Sequence, residues 1–345
     1  MPSESYLAWV LRNTKTTFWH DSADPRELEL GLQRGAVGST TNPYLASLAL
    51  ANNRSLWAPE IRAALASSTI PEERAEALMR IPVAHVAGKF RDEFQRSDFH
   101  RGWVCAQVNP SRAGDRDRML DLARRYHAWA PNITVKLPAT AAGLDVVEDC
   151  IAEGITATAT VSFTVSQVLA VAERHRRGIA RAKSSKTKPG HCFAVLMVGR
   201  LDDYLREVAD DNRADVKETD IQQAGIAIAK RAYAMLKAKH YDCSLIIAAL
   251  RGTYHMTELA GAEVIMSIAP GWQQPLMSAE LPKESRIDRE VPKDVIDRLC
   301  CLPDFEMAYE PNGLSVNEYI SYGVTQRTLA QFVESGWRLM ENFQA

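Results

Sequence analysis

Short apolar runs, rich in β-branched residues, recur along most of this chain and alternate with longer stretches of helical periodicity. The runs are Thr16–His20, Ala36–Thr40, Trp103–Val108, Ile133–Leu137, Ile155–Val161, Phe193–Val198, Ser244–Ala249 and Glu263–Ile268. Each is brief and nearly continuous in apolar or Thr residues, the pattern of a strand covered on both faces. Between them, Asp115–Trp129 carries Met119, Leu120, Leu122, Ala123 and Tyr126 on one stripe. Gly143–Glu153 places Leu144, Val147 and Ile151 at helical spacing, and Gln222–Lys239 does the same with Ile226, Ile228, Ala232, Met235 and Leu236. Strand alternating with helix predicts a parallel sheet, and eight repeats of the unit predict a closed (β/α)8 TIM barrel in the α/β class.

The connections are unequal. The gap from Pro43 to Gly102 forms an extended segment after strand two, with helical patterns at Pro59–Ala66 and Pro71–Arg96. Arg174–Lys188 (RHRRGIARAKSSKTK) is a basic run that reads as a solvated helix end and flexible loop; the sharper alternative is a surface for a phosphate-rich partner. Beyond residue 270 the alternation stops. Pro270–Gly313 is Pro-rich and reads as irregular, and Thr325–Phe343 reads as a terminal amphipathic helix, a C-terminal helical extension of the barrel.

Length alone allows two domains in 345 residues. The candidate chemistry, drawn from both halves of the chain, favours one barrel domain over 1–345, with 270–345 as an irregular segment plus helix. With 41 Lys+Arg against 43 Asp+Glu, no basic excess speaks for nucleic acid or a membrane surface as partner. Cysteines 105, 150, 192, 243, 300 and 301 form no CxxC and read as reduced thiols of a cytoplasmic protein, the adjacent Cys300 and Cys301 included. The N-terminus lacks the pattern of a signal peptide. No window approaches the roughly 18 apolar residues of a membrane span. The eight histidines make no HxxxH or HExxH pair, so a metal site is unsupported, though not excluded, and no cofactor is expected.

Barrel enzymes take their chemistry from the carboxyl ends of the strands. Here those ends offer Asp21, Asn42, Gln107, Lys136, Thr158, Thr160, Arg200 and Arg251. Lys136, in ITVKLPAT, is the most informative. A low-dielectric barrel mouth disfavours an ammonium, and a neutral amine can attack a carbonyl to form a Schiff base. Asp21 could act as acid and base, Gln107 and Thr160 could hold a water between Asp21 and the imine, and Arg200 and Arg251 could clamp a phosphate. The alternative is a structural Lys136–Asp21 ion pair. Arg251-Gly252-Thr253-Tyr254-His255 adds polar groups at the mouth that are candidates for specificity; the alternative for His255 is a solvent-exposed helix-start residue.

Three segments carry a resemblance. GSTTNPYL (38–45) resembles the TTNP signature of the transaldolase family. Residues 133–170 resemble its Schiff-base lysine strand, following helix and fifth strand. VGRLDDY (198–204) resembles its phosphate-arginine motif. They stand in family order over roughly 16–270, and the terminal helix with Phe332 and Trp337 resembles the end of the smaller members. The resemblance implies a metal-free class I aldol mechanism in carbohydrate metabolism of the pentose phosphate kind. It implies Lys136 as the Schiff-base lysine, Asp21 as proton shuttle, Thr160 as holder of the catalytic water, and Asn42 as substrate ligand, with Thr41 and Thr158 as further substrate-binding candidates. Arg200 and Arg251 match the phosphate arginines of the longer members. The substrate implied is a small sugar phosphate; a homo-oligomer is left open.

Departures from the pattern matter too. Gln107 replaces the Glu of true transaldolases, as in the fructose-6-phosphate aldolase-like branch. Met197 replaces an aromatic residue, Thr158 replaces Asn, and Val195 and Ala249 replace two serines on the phosphate side. Tyr44 replaces a small Ser and would narrow the pocket. Three readings follow: a transferase of a three-carbon unit, an aldolase or sugar-chain-extending enzyme, and a non-catalytic barrel.

Overall fold

The structure, a computed structural model, describes residues 4–278 and 280–344. Eight parallel strands close in sequence order: β1 (Thr17–Asp21), β2 (Ser39–Thr40), β3 (Val104–Gln107), β4 (Ile133–Pro138), β5 (Ala157–Thr160), β6 (Cys192–Met197), β7 (Ser244–Ala248) and β8 (Val264–Ile268), with β8 back beside β1. This is the predicted (β/α)8 barrel. Most strands are shorter than the apolar runs that announced them, because residues at the run ends, buried like Val108 and Val161 or exposed like Glu263, lie outside the paired strand. β2 keeps only two residues. Just before it, Gly38 receives the Trp19 indole, which a Cβ there would meet at 2.6 Å.

Side chains alternate along each strand. Val104, Ala106, Ile133, Val135, Leu137, Ala157 and Ala159 are fully buried or nearly so. They alternate with Cys105, Gln107, Thr134, Lys136, Thr158 and Thr160, which meet one another across the barrel: Thr134 and Thr158 hydroxyls lie 2.8 Å apart, and the Cys105 thiol lies 3.8 Å from Thr158. The register pairs Gln107 with Lys136, Lys136 with Thr158, and Asp21 with Thr40, so the polar set faces one interior.

The helices on the barrel's outside are α1 (Tyr6–Asn13), α2 (Pro25–Gln33), α3 (Pro43–Asn52), α4 (Ala58–Ala66), α5 (Pro71–Arg96), α6 (Arg116–His127), α7 (Ala141–Ala152), α8 (Val165–Ser184), α9 (Val198–Asn212), α10 (Glu218–Ala238) and α11 (Thr253–Leu259). Six of them start on side-chain caps that satisfy free N–H groups: Ser5 for α1, Asp24 for α2, Asn42 for α3, Asp115 for α6, Thr140 for α7 and Thr164 for α8. The basic run lies mostly within α8, and its arginines are paired inside the chain. Arg174 bonds Asp145 and Glu148, Arg181 bonds Glu148 and Asp149, and Arg176 stacks on Tyr241. The acidic partners of Arg174 and Arg181 all lie on α7.

Pro270–Gly313 is not irregular throughout. It contains α12 (Pro270–Gln273), α13 (Lys293–Leu299) and α14 (Pro303–Tyr309), each begun by a proline in or just before its first turn. Helices this short show no sustained period. The terminal helix begins earlier than expected, as α15 (Gly323–Phe332). It is broken by a π-helical turn (Val333–Trp337) before α16 (Arg338–Glu341).

The tail runs across the carboxyl end of the barrel. Gly336 packs on the start of α3, so closely that a Cβ would meet the Tyr44 amide at 2.5 Å, while Phe332 lies under the Arg200 guanidinium. Phe332, Trp337 and Met340 are almost fully buried. Burying one such side chain contributes about 1.5–3 kcal/mol, which holds the tail down.

The α7–β4 junction depends on a glycine. A Cβ on Gly143 would lie 1.9 Å from the Pro138 carbonyl oxygen. Gly143→Ala is expected to push α7 off the end of the strand that carries Lys136. The cost should be about 1–3 kcal/mol, read as a lower denaturation midpoint at unchanged slope.

Candidate active site

Lys136 projects into the barrel near its carboxyl end and is 5 % exposed. Its Nζ donates to the Thr41 carbonyl at 3.3 Å. It forms no salt bridge to Asp21, so the structural ion pair is not what the structure contains. Thr41 is held in turn by its hydroxyl, which donates to the Cys105 carbonyl at 2.6 Å. The TTNP segment thus supplies the amine's acceptor from its backbone.

Asp21 ends β1. It keeps partial solvent access at the bottom of the cup while protein surrounds it closely. Its Oδ1 accepts from the Thr40 hydroxyl at 2.7 Å, and Thr40 lies 2.6 Å from the Ser267 hydroxyl of β8. Burial raises the Asp21 carboxyl above its ordinary range, opposed in part by Thr40 and by the charges of Lys136, Arg200 and Arg251. Sequence reasoning passed over Thr40 and Ser267. Thr40 was visible inside the TTNP motif, and Ser267 as the polar residue two places after Ile265 on one strand face.

Gln107 and Thr160 flank Lys136 on the neighbouring strands. Gln107 is 2 % exposed, and its Oε1 has no hydrogen-bond partner. A buried amide oxygen left open costs about 1–3 kcal/mol and marks a place for a water or a ligand hydroxyl. Thr160 is fully buried, with its hydroxyl 3.9 Å from the Met197 sulfur. Thr158 is also fully buried, and its hydroxyl is engaged with Thr134 and Cys105. Asn42 caps α3 through Oδ1, leaving its NH2 group as the available donor.

Arg200 and Arg251 stand on the β6–α9 and β7–α11 sides of the mouth. Arg200 stacks 5.1 Å over the Phe332 ring and bonds Gln331 of the tail. Burial first, then the nearby Arg251 charge, pushes its guanidinium down to about 10. Two guanidiniums that oppose each other's charge favour an anion between them. Arg251 donates from Nε to Asp203 at 2.8 Å and from Nη1 to the Ala249 and Leu250 carbonyls at 2.9 and 3.2 Å.

Two expectations are corrected. His255 is not exposed: its side chain is fully buried against Asp202, because α11 packs that face onto α9. Tyr44 does not narrow the mouth. It is 45 % exposed and lines an outer groove with Leu48, Leu339 and Phe343, since the turn after Asn42 points it away from the barrel axis. A cavity of about 1230 Å³ opens at the opposite end of the barrel. Its floor includes Trp19, Trp103 and Phe193, and the edge-to-face Trp19–Phe193 pair at 4.9 Å belongs to the layer below the Lys136 cup. Volume alone would point away from the polar convergence.

A family model described as transaldolase/fructose-6-phosphate aldolase matches residues 18–306. The chain belongs to that family. It is 28 % identical over 211 residues to a transaldolase of Neisseria meningitidis serogroup A, covering 60 % of this chain and 58 % of that protein. It is 28 % identical over 212 residues to a transaldolase of Mycolicibacterium smegmatis, covering 60 % and 56 %. It is 27 % identical over 213 residues to transaldolase 2 of Nostoc sp., covering 58 % and 56 %. The matched region thus spans just over half the length of these curated relatives. Among the described residues no helix is long and apolar enough to cross a membrane, and no cluster of His, Cys, Asp or Glu has metal-site geometry.

The Asp21 environment of this family member yields a test. A carboxyl that ionises less readily folded than unfolded makes the fold lose stability as pH rises through its folded pKa. Asp21→Asn removes that loss. The variant is expected to match the wild-type Tm below about pH 3, where both states hold the proton, and to exceed it by about 2 °C at pH 8. A gain confined to acid pH would contradict the assignment.

Proposed function

We propose that this chain is a Schiff-base transferase of the transaldolase type, moving a three-carbon dihydroxyacetone unit from a ketose phosphate to an aldehyde. The observation that carries the reading is Lys136: a buried amine bonded to a carbonyl instead of a carboxylate, beside Asp21 and the open Gln107 oxygen.

In this reading the Lys136 amine attacks the ketose C2, and loss of water leaves an iminium. Asp21, as carboxylate, takes the proton of the C4 hydroxyl. The C3–C4 bond breaks, its electron pair moves into the iminium to give an enamine, and an aldehyde leaves. The enamine then attacks the carbonyl carbon of an acceptor aldehyde, and Asp21 returns its proton to the new alkoxide. Water at C2 releases the product and restores the amine. A carboxyl raised by burial is suited to both directions of that transfer. A water on Gln107 Oε1 and the Thr160 hydroxyl would relay protons near the imine. Asn42 and Thr41 would bind substrate hydroxyls, Thr158 would brace the strand face beside Lys136, and Arg200 with Arg251 would hold the phosphate.

Gln107 supports a second reading. An amide can orient a water but cannot take its proton, and the Glu-to-Gln difference is the one that marks the aldolase branch in the resemblance. That reading predicts free dihydroxyacetone without an acceptor.

The test is borohydride reduction during turnover of fructose 6-phosphate. A stable mass increase mapping to Lys136, absent in Lys136→Ala, is expected. Asp21→Asn should keep the lysine competent while turnover falls by about 10²–10⁴. No adduct, together with full activity in Lys136→Ala, would end the reading. Turnover that requires an acceptor aldehyde selects transfer over cleavage.

A further inference from the structure

Asp202 and Asp203 follow Arg200 closely in α9, and both reach the segment that carries Arg251. Asp203 holds the Arg251 guanidinium, with Nε and Nη2 each 2.8 Å from Oδ2. Asp202 reaches the same residue from behind. Its Oδ2 lies 2.9 Å from His255 Nε2, and His255 Nδ1 accepts the backbone N–H of Arg251 at 3.1 Å. The other Asp202 oxygen accepts the Gly225 N–H of α10 at 2.9 Å. Both side chains of the Asp202–His255 pair are fully buried.

The direction of each bond is determined. Nδ1 accepts from a backbone N–H, so the imidazole proton sits on Nε2 and is donated to Asp202. The segment they hold is under strain. Ala249 lies at φ 60°, a conformation that costs a non-glycine residue of order 1–3 kcal/mol. It also sits so close to α9 that a Cβ on Gly199 would meet the Ala249 carbonyl at 2.2 Å and the Arg251 side chain at 2.5 Å. A strained segment persists only where its surroundings over-determine it.

We infer that Asp202 and His255 are positioning residues that fix the Arg251 backbone, and through it the grip on the anionic group of the substrate. The inference rests on the proposed sugar-phosphate chemistry for its catalytic consequence, and on the structure for the geometry. The Asp202-Asp203 dipeptide then serves one arginine twice: Asp203 aims its side chain and Asp202, through His255, sets its main chain.

Asp202→Asn tests this with almost no change of shape. If the amide oxygen stays on Gly225 N–H, its NH2 group faces His255 Nε2. The ring must then accept there and carry its proton on Nδ1, against the Arg251 N–H. Turning the amide over instead sets its NH2 group against Gly225 N–H. His255→Gln keeps a donor toward Asp202 but removes the acceptor for Arg251, whereas His255→Asn places an oxygen near the former Nδ1.

Two readouts apply: KM and kcat for fructose 6-phosphate against unphosphorylated fructose, and calorimetric binding of inorganic phosphate. Asp202→Asn and His255→Gln are expected to raise KM for the phosphorylated ketose about tenfold and weaken phosphate binding to match. Their kcat should move little, and borohydride capture of dihydroxyacetone on Lys136 should be unchanged. His255→Asn is expected to recover most of the affinity. Wild-type KM and phosphate binding in both variants, equal losses for the two ketoses, or no phosphate binding by the wild type would overturn the inference. If Asp202→Asn does not fold, the contrast between His255→Gln and His255→Asn decides. A wild type that binds phosphate but forms no Lys136 adduct would overturn the transferase reading alone, and the phosphate measurements on the variants would still judge this one.

Discussion

An amine at 5 % exposure, with a backbone carbonyl as its hydrogen-bond partner, is the constraint around which this barrel is arranged. A buried ammonium without a close carboxylate is costly, and interiors pair such charges or neutralise them. Here the nearest acid, Asp21, is itself harder to ionise because of burial, and it is occupied by Thr40. The interior around the amine is built of hydroxyls, a thiol and an amide. Thr134, Thr158, Thr160, Thr40 and Ser267 satisfy one another or nearby groups, and only Gln107 Oε1 is left open beside Lys136. Neutral polar groups of this kind can solvate a proton transfer without locking the amine into an ion pair.

Charge is kept at the rim. Arg200 and Arg251 both stand at the mouth, near enough for their charges to oppose each other, and each is restrained from the protein side: Arg200 by Phe332 and Gln331 of the tail, Arg251 by Asp203. The tail therefore touches the rim on two sides, at Arg200 and at the start of α3. That follows from its anchoring at Gly336 on the start of α3 and at Phe332 under Arg200. The chain's membership of the transaldolase/fructose-6-phosphate aldolase family agrees with this layout.

The barrel was legible in the sequence because its outward strand residues, such as Val135 and Leu137, are continuous with small buried threonines on the inward face. The whole run then reads as a covered strand. β2 was overestimated because only Ser39 and Thr40 take full strand pairing, although Val37 still bonds Phe18 and Gly102 through its backbone. Lys136 was legible as a charge inside an apolar run, and Asp21, Asn42 and Arg200 as polar residues just past such runs. What escaped depends on contacts between distant segments. His255 looked like an ordinary polar helix-start residue until α11 was placed on α9. The direction of Tyr44 was set by the turn after Asn42, and the short helices between 270 and 309 are held by packing and proline starts with too few residues to show a period.

The most direct test of the central claim, that Lys136 forms an imine that passes to an enamine in this cup, is hydrogen exchange at the carbons of dihydroxyacetone in D2O, followed by NMR. The account predicts stereospecific, enzyme-dependent replacement of one carbon-bound hydrogen by deuterium, lost in Lys136→Met and slowed in Asp21→Asn. Exchange absent from the wild type, or persisting in Lys136→Met, would contradict it.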